Sequence, residues 1–175
     1  PASLQQCTIG GNVACNSGGP RCLKYGVTKD FVLGMTVVLA DGSILNLGGK
    51  LVKNVTGYQL MQLLVGSEGT LGVITEVTLR LIPYPRIRKT AVAMFKNLDQ
   101  ASEAVTAIIG AGILPVALEL LDRATLDIVT QYRDLTFPKE TNAILILEQD
   151  GNDENAIRND IKGMAEICRD LGALE

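Results

Sequence analysis

Two glycine-rich blocks constrain this chain more than anything else in it. The first reads Thr8-Ile9-Gly10-Gly11-Asn12 and continues into Asn16-Ser17-Gly18-Gly19. The second reads Gly66-Ser67-Glu68-Gly69-Thr70-Leu71-Gly72-Val73-Ile74-Thr75-Glu76. Glycine lets main-chain amides approach a ligand more closely than any Cβ allows, and successive exposed amides form a concave anion site. Two such blocks point to a large phosphate-bearing cofactor held mainly by main chain. A helix beginning at the first block would aim the amides of Gly10, Gly11 and Asn12 at a pyrophosphate, with its dipole behind them. Ser17, Gly18 and Gly19 would let the chain pass close to a flat ring. Tight turns alone also account for glycines at this spacing, and the spacing does not choose between the two readings. The pattern is not G-x-G-x-x-G, which weakens a nicotinamide Rossmann reading.

Most of the 18 glycines fall before residue 85, and the chain changes character there. Pro83 and Pro85 remove amide donors and stop a strand, so the expected domains are 1–85 and 86–175. In the first, Phe31 to Ala40 reads as a buried strand, Asp41-Gly42-Ser43 as a hairpin turn and Ile44 to Leu47 as the returning strand. Gly57 to Leu64 reads as a short helix stopped by Gly66. Gly72 to Ile82 alternates as a half-buried strand, with Val73, Thr75, Val77 and Leu79 on one side. In the second, strands at Thr90 to Phe95, Leu114 to Leu121 and Ala143 to Glu148 alternate with helices. Those helices are expected at Leu98 to Ala111 (capped by Asn97 or Asp99), from Asp122 to about Tyr132, and at Asp153 to Leu171. That rhythm predicts an α+β, ferredoxin-like layer of helices on a sheet. The last residues fall where another strand is due, and the first, Pro1 to Gln6, read as a cut inside a longer protein.

Composition removes several function classes. With 47% hydrophobic and 20% charged residues the chain builds a real core, and with 4% aromatics that core is aliphatic. The net charge of −3 and scattered basic residues give no nucleic-acid footprint. No apolar run reaches the roughly 18 residues of a membrane span. Histidine is absent, so this chain supplies no histidine base, no Ser-His-Asp triad and no histidine metal ligand. Cys7, Cys15, Cys22 and Cys168 match no zinc or iron–sulfur spacing. They read as reduced thiols of an intracellular protein, with Cys15 or Cys22 near the cofactor as the alternative.

The stretch from about Thr8 to Pro85 resembles the flavin (PCMH-type) domain of FAD-linked oxidases of the vanillyl-alcohol-oxidase type. It is most similar to the subgroup with glycolate oxidase and D-lactate dehydrogenase. The resemblance runs through Gly10-Gly11-Asn12, Gly18-Gly19, Lys24-Tyr25-Gly26, Asp41-Gly42, Lys53-Asn54, Gly57-Tyr58, Gly66 to Gly72 and Ile74-Thr75-Glu76. From near Thr90 the chain more loosely resembles the start of the cap domain. The resemblance implies the second half of a flavin domain followed by the first half of a cap.

It implies non-covalent FAD. Thr8, Ile9, Gly10, Gly11 and Asn12 would meet the pyrophosphate and ribityl region, and Asn16, Ser17, Gly18 and Gly19 would lie along the flavin. Glu68 and the backbone of Gly72, Val73 and Ile74 would hold the adenosine end. Glu68 also reads as a turn carboxylate. Lys24, Tyr25, Lys53, Asn54 and Tyr58 read either as site residues or as ordinary surface and core.

The implied reaction is oxidation of a small 2-hydroxy acid, glycolate or D-lactate, with electrons passing to an iron–sulfur partner subunit. The implied location is cytoplasmic, at a membrane only through a partner. The family's other pyrophosphate-gripping loop and its cap histidines do not appear here, so the chain alone is expected to bind FAD poorly and not to turn over. Other reactions of the superfamily (ether-lipid synthesis, phenol or sugar oxidation) and a non-enzymatic α/β module with structural glycines stay open.

Overall fold

The Asp41-Gly42-Ser43 turn organises the first sheet. In the computed structural model, which describes residues 3–174, Gly42 has a φ of +83°. The Asp41 carboxylate accepts from Ser43 N at 2.9 Å and from Ser43 Oγ at 2.6 Å, an Asx turn. It folds β1 (Val32–Val38) onto β2 (Ile44–Gly48). The third strand, β3 (Val73–Leu79), takes the other side of β1, so the antiparallel order is β2-β1-β3. Around this sheet lie α1 (Ile9–Cys15), α2 (Cys22–Tyr25), a 3-10 turn at Thr28–Phe31 and α3 (Leu60–Leu64). The core is Val13, Val32, Met35, Val37, Leu64 and Val65.

β3 departs from simple alternation. The register steps from Thr36↔Glu76 to Val37↔Ile74, which leaves Thr75 as the extra residue of a bulge. Its hydroxyl donates to Thr36 O at 3.2 Å. The bulge turns Ile74, rather than Val73, onto the core with Val77 and Leu79, while Val73 is 63% exposed. A second step between Val32 and Gly34 resets β1 in the same way.

The chain divides into two units between Pro83 and Tyr84. The second unit runs β4 (Ile87–Phe95), α4 (Leu98–Gly110), β5 (Ala117–Asp122), α5 (Arg123–Tyr132), β6 (Ala143–Gly151), α6 (Glu154–Asp170). Its sheet is antiparallel with order β4-β6-β5. Both units mix helices with antiparallel sheet, as an α+β chain should.

Alternate residues of β4 and β6 (Ala93, Phe95, Leu145 and Leu147) meet Ala104 and Ile108 of α4 and Met164 and Cys168 of α6. Asn97 rather than Asp99 caps α4, accepting from Gln100 N at 2.9 Å. Two strand boundaries differ from expectation. β4 starts at Ile87, three residues before Thr90, and its polar first turn is matched by Arg88–Glu148 and Lys89–Glu154 ion pairs at 3.4 and 3.7 Å. β5 starts only at Ala117, because Pro115 has no amide to give a ladder. Among the described residues no helix is long and apolar enough to cross a membrane.

Candidate functional site

The first glycine block is the start of α1. Thr8, extended at φ −108°, is its N-cap, and its hydroxyl accepts from Gly11 N at 3.0 Å. That bond satisfies one amide of the first turn. Ile9 and Gly10 donate ahead of the first carbonyl that a helix offers, and both are exposed. A Cβ built on Gly10 would meet nothing within 4 Å, so the space beside its backbone is open to a ligand. Asn12, half-buried, donates from Nδ2 to Cys7 Sγ at 3.4 Å. That bond, helped by Ser3, holds the Cys7 thiol below the usual thiol range.

The rest of the first block is engaged with its own fold. Asn16 closes α1 in the left-handed region at φ +47°, and its Oδ1 accepts from Lys29 N at 2.9 Å. Ser17 O accepts from Thr28 N at 3.2 Å and from Thr28 Oγ1 at 2.8 Å. Gly19 N donates to Cys22 Sγ at 2.9 Å. Gly18 is exposed, with ordinary contacts to Cys22 and Val27. Cys15 is exposed at the last residue of α1.

The two glycine blocks are bonded to each other. Gly66 N donates to Val13 O and Glu68 N donates to Ala14 O, both at 3.0 Å. The second block therefore supplies a partner for the Ala14 carbonyl at the end of α1 and a further donor to the Val13 carbonyl, which also accepts from Asn16 N at 3.2 Å. Gly66 sits at φ +84°, and a Cβ there would stand 3.0 Å from Asn16 Cβ. No side chain fits this place without moving α1. Glu68 also adopts a left-handed φ of +50° and leaves its carboxylate exposed. Gly72 has a packing reason: a Cβ would lie 2.8 Å from Val37 Cγ1 and 2.9 Å from Val38 O. The sequence reading treated the blocks as two separate ligand loops and missed that one caps the other. Its only local trace is the run of turn-forming residues at 66–69.

The other named residues lie outside the two glycine blocks in sequence. Lys24 Nζ stands 5.4 Å from the centre of the Tyr25 ring. Lys53, Asn54 and Tyr58 are exposed in a segment without regular structure, and Tyr58 is 94% exposed. A group that sequence reasoning did not find lies on the sheet face opposite the core. There Thr36 Oγ1 is 3.0 Å from Asn46 Oδ1 and 3.2 Å from Glu76 Oε2. Only strand register brings these three together. Among the described residues no cluster of three histidine, cysteine or carboxylate side chains could hold a metal.

Comparison with known proteins adds the family. Residues 84–175 match the family described as FAD linked oxidases, C-terminal domain, and residues 1–48 match the FAD binding domain family. The chain belongs to the FAD-linked oxidases. It is 47% identical to the glycolate oxidase subunit GlcD of Bacillus subtilis (strain 168) over 97% of its length, covering 36% of that protein. It is 38% identical to the D-lactate dehydrogenase of Anaerostipes hadrus over 96% of its length, covering 37% of that protein. Among solved structures, an alkyldihydroxyacetonephosphate synthase shares the fold, with a TM-score of 0.79 at 22% identity over 99% of this chain and 34% of that one. The chain thus spans little more than a third of the curated relatives it matches.

Proposed function

We propose that this chain forms one side of an FAD site and the opening part of a cap domain. The parent activity would be an oxidoreductase that oxidises a small 2-hydroxy acid, glycolate or D-lactate. The 47% identity to a glycolate oxidase subunit across nearly the whole chain is the observation that carries this reading. In it, residues 1–85 belong to the flavin domain and 86–175 to the cap.

The open first turn of α1 fits a phosphate-bearing cofactor. The amides of Ile9 and Gly10 bind the pyrophosphate, and the Thr8 hydroxyl, already accepting from Gly11, keeps a proton to donate to a phosphate oxygen. Asn12 lies beside the ribityl region, and Asn16 to Gly19 follow the flavin ring. Glu68 and the main chain of Gly72, Val73 and Ile74 hold the adenosine end. When bound, FAD would supply the acceptor for a hydride equivalent from the hydroxyl-bearing carbon of the substrate. This chain binds and orients. With no histidine in it, the substrate's hydroxyl proton goes to no histidine of this chain. FAD is held non-covalently, and the electrons leave to an iron–sulfur subunit, a reading that rests on the likeness to a protein itself described as a subunit of glycolate oxidase.

The experiment is a flavin titration of this chain and of a longer polypeptide that carries it, followed by glycolate and D-lactate added to the loaded longer protein. Tight binding by the longer protein, with bleaching of its flavin band by one of the two acids, is the expected result. Absence of flavin binding in both would leave the glycines as turn-makers only. Binding without bleaching would keep the cofactor and remove the substrate class.

A further inference from the structure

Residues 22–29 hold the segment 16–19 from one side. Lys29 N donates to Asn16 Oδ1 at 2.9 Å. Thr28 gives Ser17 O two donors, its amide at 3.2 Å and its hydroxyl at 2.8 Å. Cys22 N donates to Gly19 O at 3.0 Å, and Gly19 N donates back to Cys22 Sγ at 2.9 Å. Those last two bonds pair residues three apart in both directions, as a capping box does, with a thiol where that motif has a carboxylate or amide.

Gly18 is the gap in this set of holds. It is exposed, and among the described residues neither its amide nor its carbonyl has a partner. The sulfur of Cys22 stands close behind it: a Cβ built on Gly18 would lie 3.5 Å from that Sγ and 3.6 Å from Val27 Cγ1. The amide of Gly19 and the carbonyl of Gly18 belong to one planar peptide unit, in which they point opposite ways. Fixing the Gly19 amide on the sulfur therefore aims the Gly18 carbonyl away from Cys22. That peptide lies between two glycines, where no Cβ opposes its rotation. A bond to the unit itself has to supply the orientation, and the Cys22 sulfur makes it.

We propose that Cys22 is a positioning residue of the cofactor site. By holding the Gly19 amide, its sulfur turns the Gly18 carbonyl outward as an acceptor for a ring N–H of the flavin. The inference rests on the reading above that residues 16–19 follow the flavin ring. It gives a thiol with no part in the chemistry a say in how the ring is held. Because a thiol is a weak acceptor, this is the softest of the holds on the segment and the one most open to substitution.

The test uses the longer polypeptide loaded with FAD. Cys22→Ala removes the acceptor, and Cys22→Ser keeps one. In Cys22→Ala, hydrogen exchange of the Gly19 amide speeds up about tenfold or more. FAD affinity falls about fivefold, the size of one lost cap bond, and the visible flavin band shifts. Cys22→Ser restores all three, and Cys15→Ala, which deletes an exposed thiol of α1, changes none. A fourth reading needs no variant to fold: in the unsubstituted protein, saturating FAD slows iodoacetamide labelling of Cys22 about tenfold, since the bond to Gly19 opens less often. Faster Gly19 exchange with an unchanged flavin band and affinity makes Cys22 a local cap and overturns the proposal. So does unchanged Gly19 exchange in Cys22→Ala, Cys22→Ser behaving as Cys22→Ala, or a labelling rate indifferent to FAD. Absence of flavin binding by the unsubstituted longer protein is a separate outcome, which overturns the cofactor reading and the proposal with it.

Discussion

Among the described residues, the second unit gathers ten buried side chains into one core between two long helices and a three-stranded sheet. The core of the first counts six among its described residues, and its loops are fixed with main-chain bonds such as Gly66 to Val13 and Glu68 to Ala14. The second is held by area removed from water; the first depends more on backbone conformation and on hydrogen bonds that only certain residues permit. Damage should therefore take different forms. In the second unit, side-chain volume matters most. In the first, what matters is whether a residue tolerates its φ.

Four changes probe that contrast. The largest effect is expected from Phe95→Ala, at a fully buried position, which costs about 3–5 kcal/mol. Urea unfolding of the second unit measures it, and a loss under about 1 kcal/mol would break the contrast at its root. Next is Gly66→Val. A β-branched residue at φ +84°, with its Cβ against Asn16, costs about 1–3 kcal/mol. It loosens α1 while adding volume rather than removing it. Weakened flavin binding by the longer protein, with the second unit's unfolding unchanged, is the expected readout.

A matched pair sharpens the comparison further. Thr8→Ala and Asn97→Ala each delete a cap that accepts one amide, at 3.0 and 2.9 Å, and each costs about 1 kcal/mol. Only Thr8→Ala should lower flavin affinity; equal losses in both would remove Thr8 from the site.

The smallest effect concerns the thiols. At pH 8 an alkylating reagent should label Cys7, whose pKa is lowered by Asn12 and Ser3, and spare buried Cys168. Because the folded state raises the Cys168 pKa from 9.0 to about 11, its contribution to stability is complete below pH 9. That contribution is lost as pH rises from 9 toward 11. Circular dichroism of the second unit across that window checks the sign.

The sequence made some of this legible and hid the rest for physical reasons. The hairpin at Asp41-Gly42 and the caps at Asn97 and Asp122 were readable because each depends on a side chain bonding its own neighbours. The core stripe of α4 was readable from Ala101, Ala104 and Ile108 at helical spacing. The bulge at Thr75 was not, because one unpaired residue leaves alternation looking intact while exchanging Val73 for Ile74. At the candidate site, the glycine blocks announced close backbone approach without saying what approaches. At Gly10 it is open space; at Gly66 and Gly72 it is the protein's own Asn16 and Val37. A string of glycines looks the same in both cases.

The bond from Gly66 to Val13 also bears on timing. It closes a loop of roughly fifty residues, and such closures carry an entropic cost that grows with the logarithm of loop length. Contacts of that range reward the chain only after nearer ones have formed. β1 and β2 pair through a short turn and can form early, whereas the end of α1 waits for the return of residues 66–68. Helix α1 is then among the last parts of the first unit to order. A cofactor that grips it binds the finished loop and not its precursors. Cofactor supply during synthesis would then raise the yield of folded chain, beyond its effect on the activity of chains already folded.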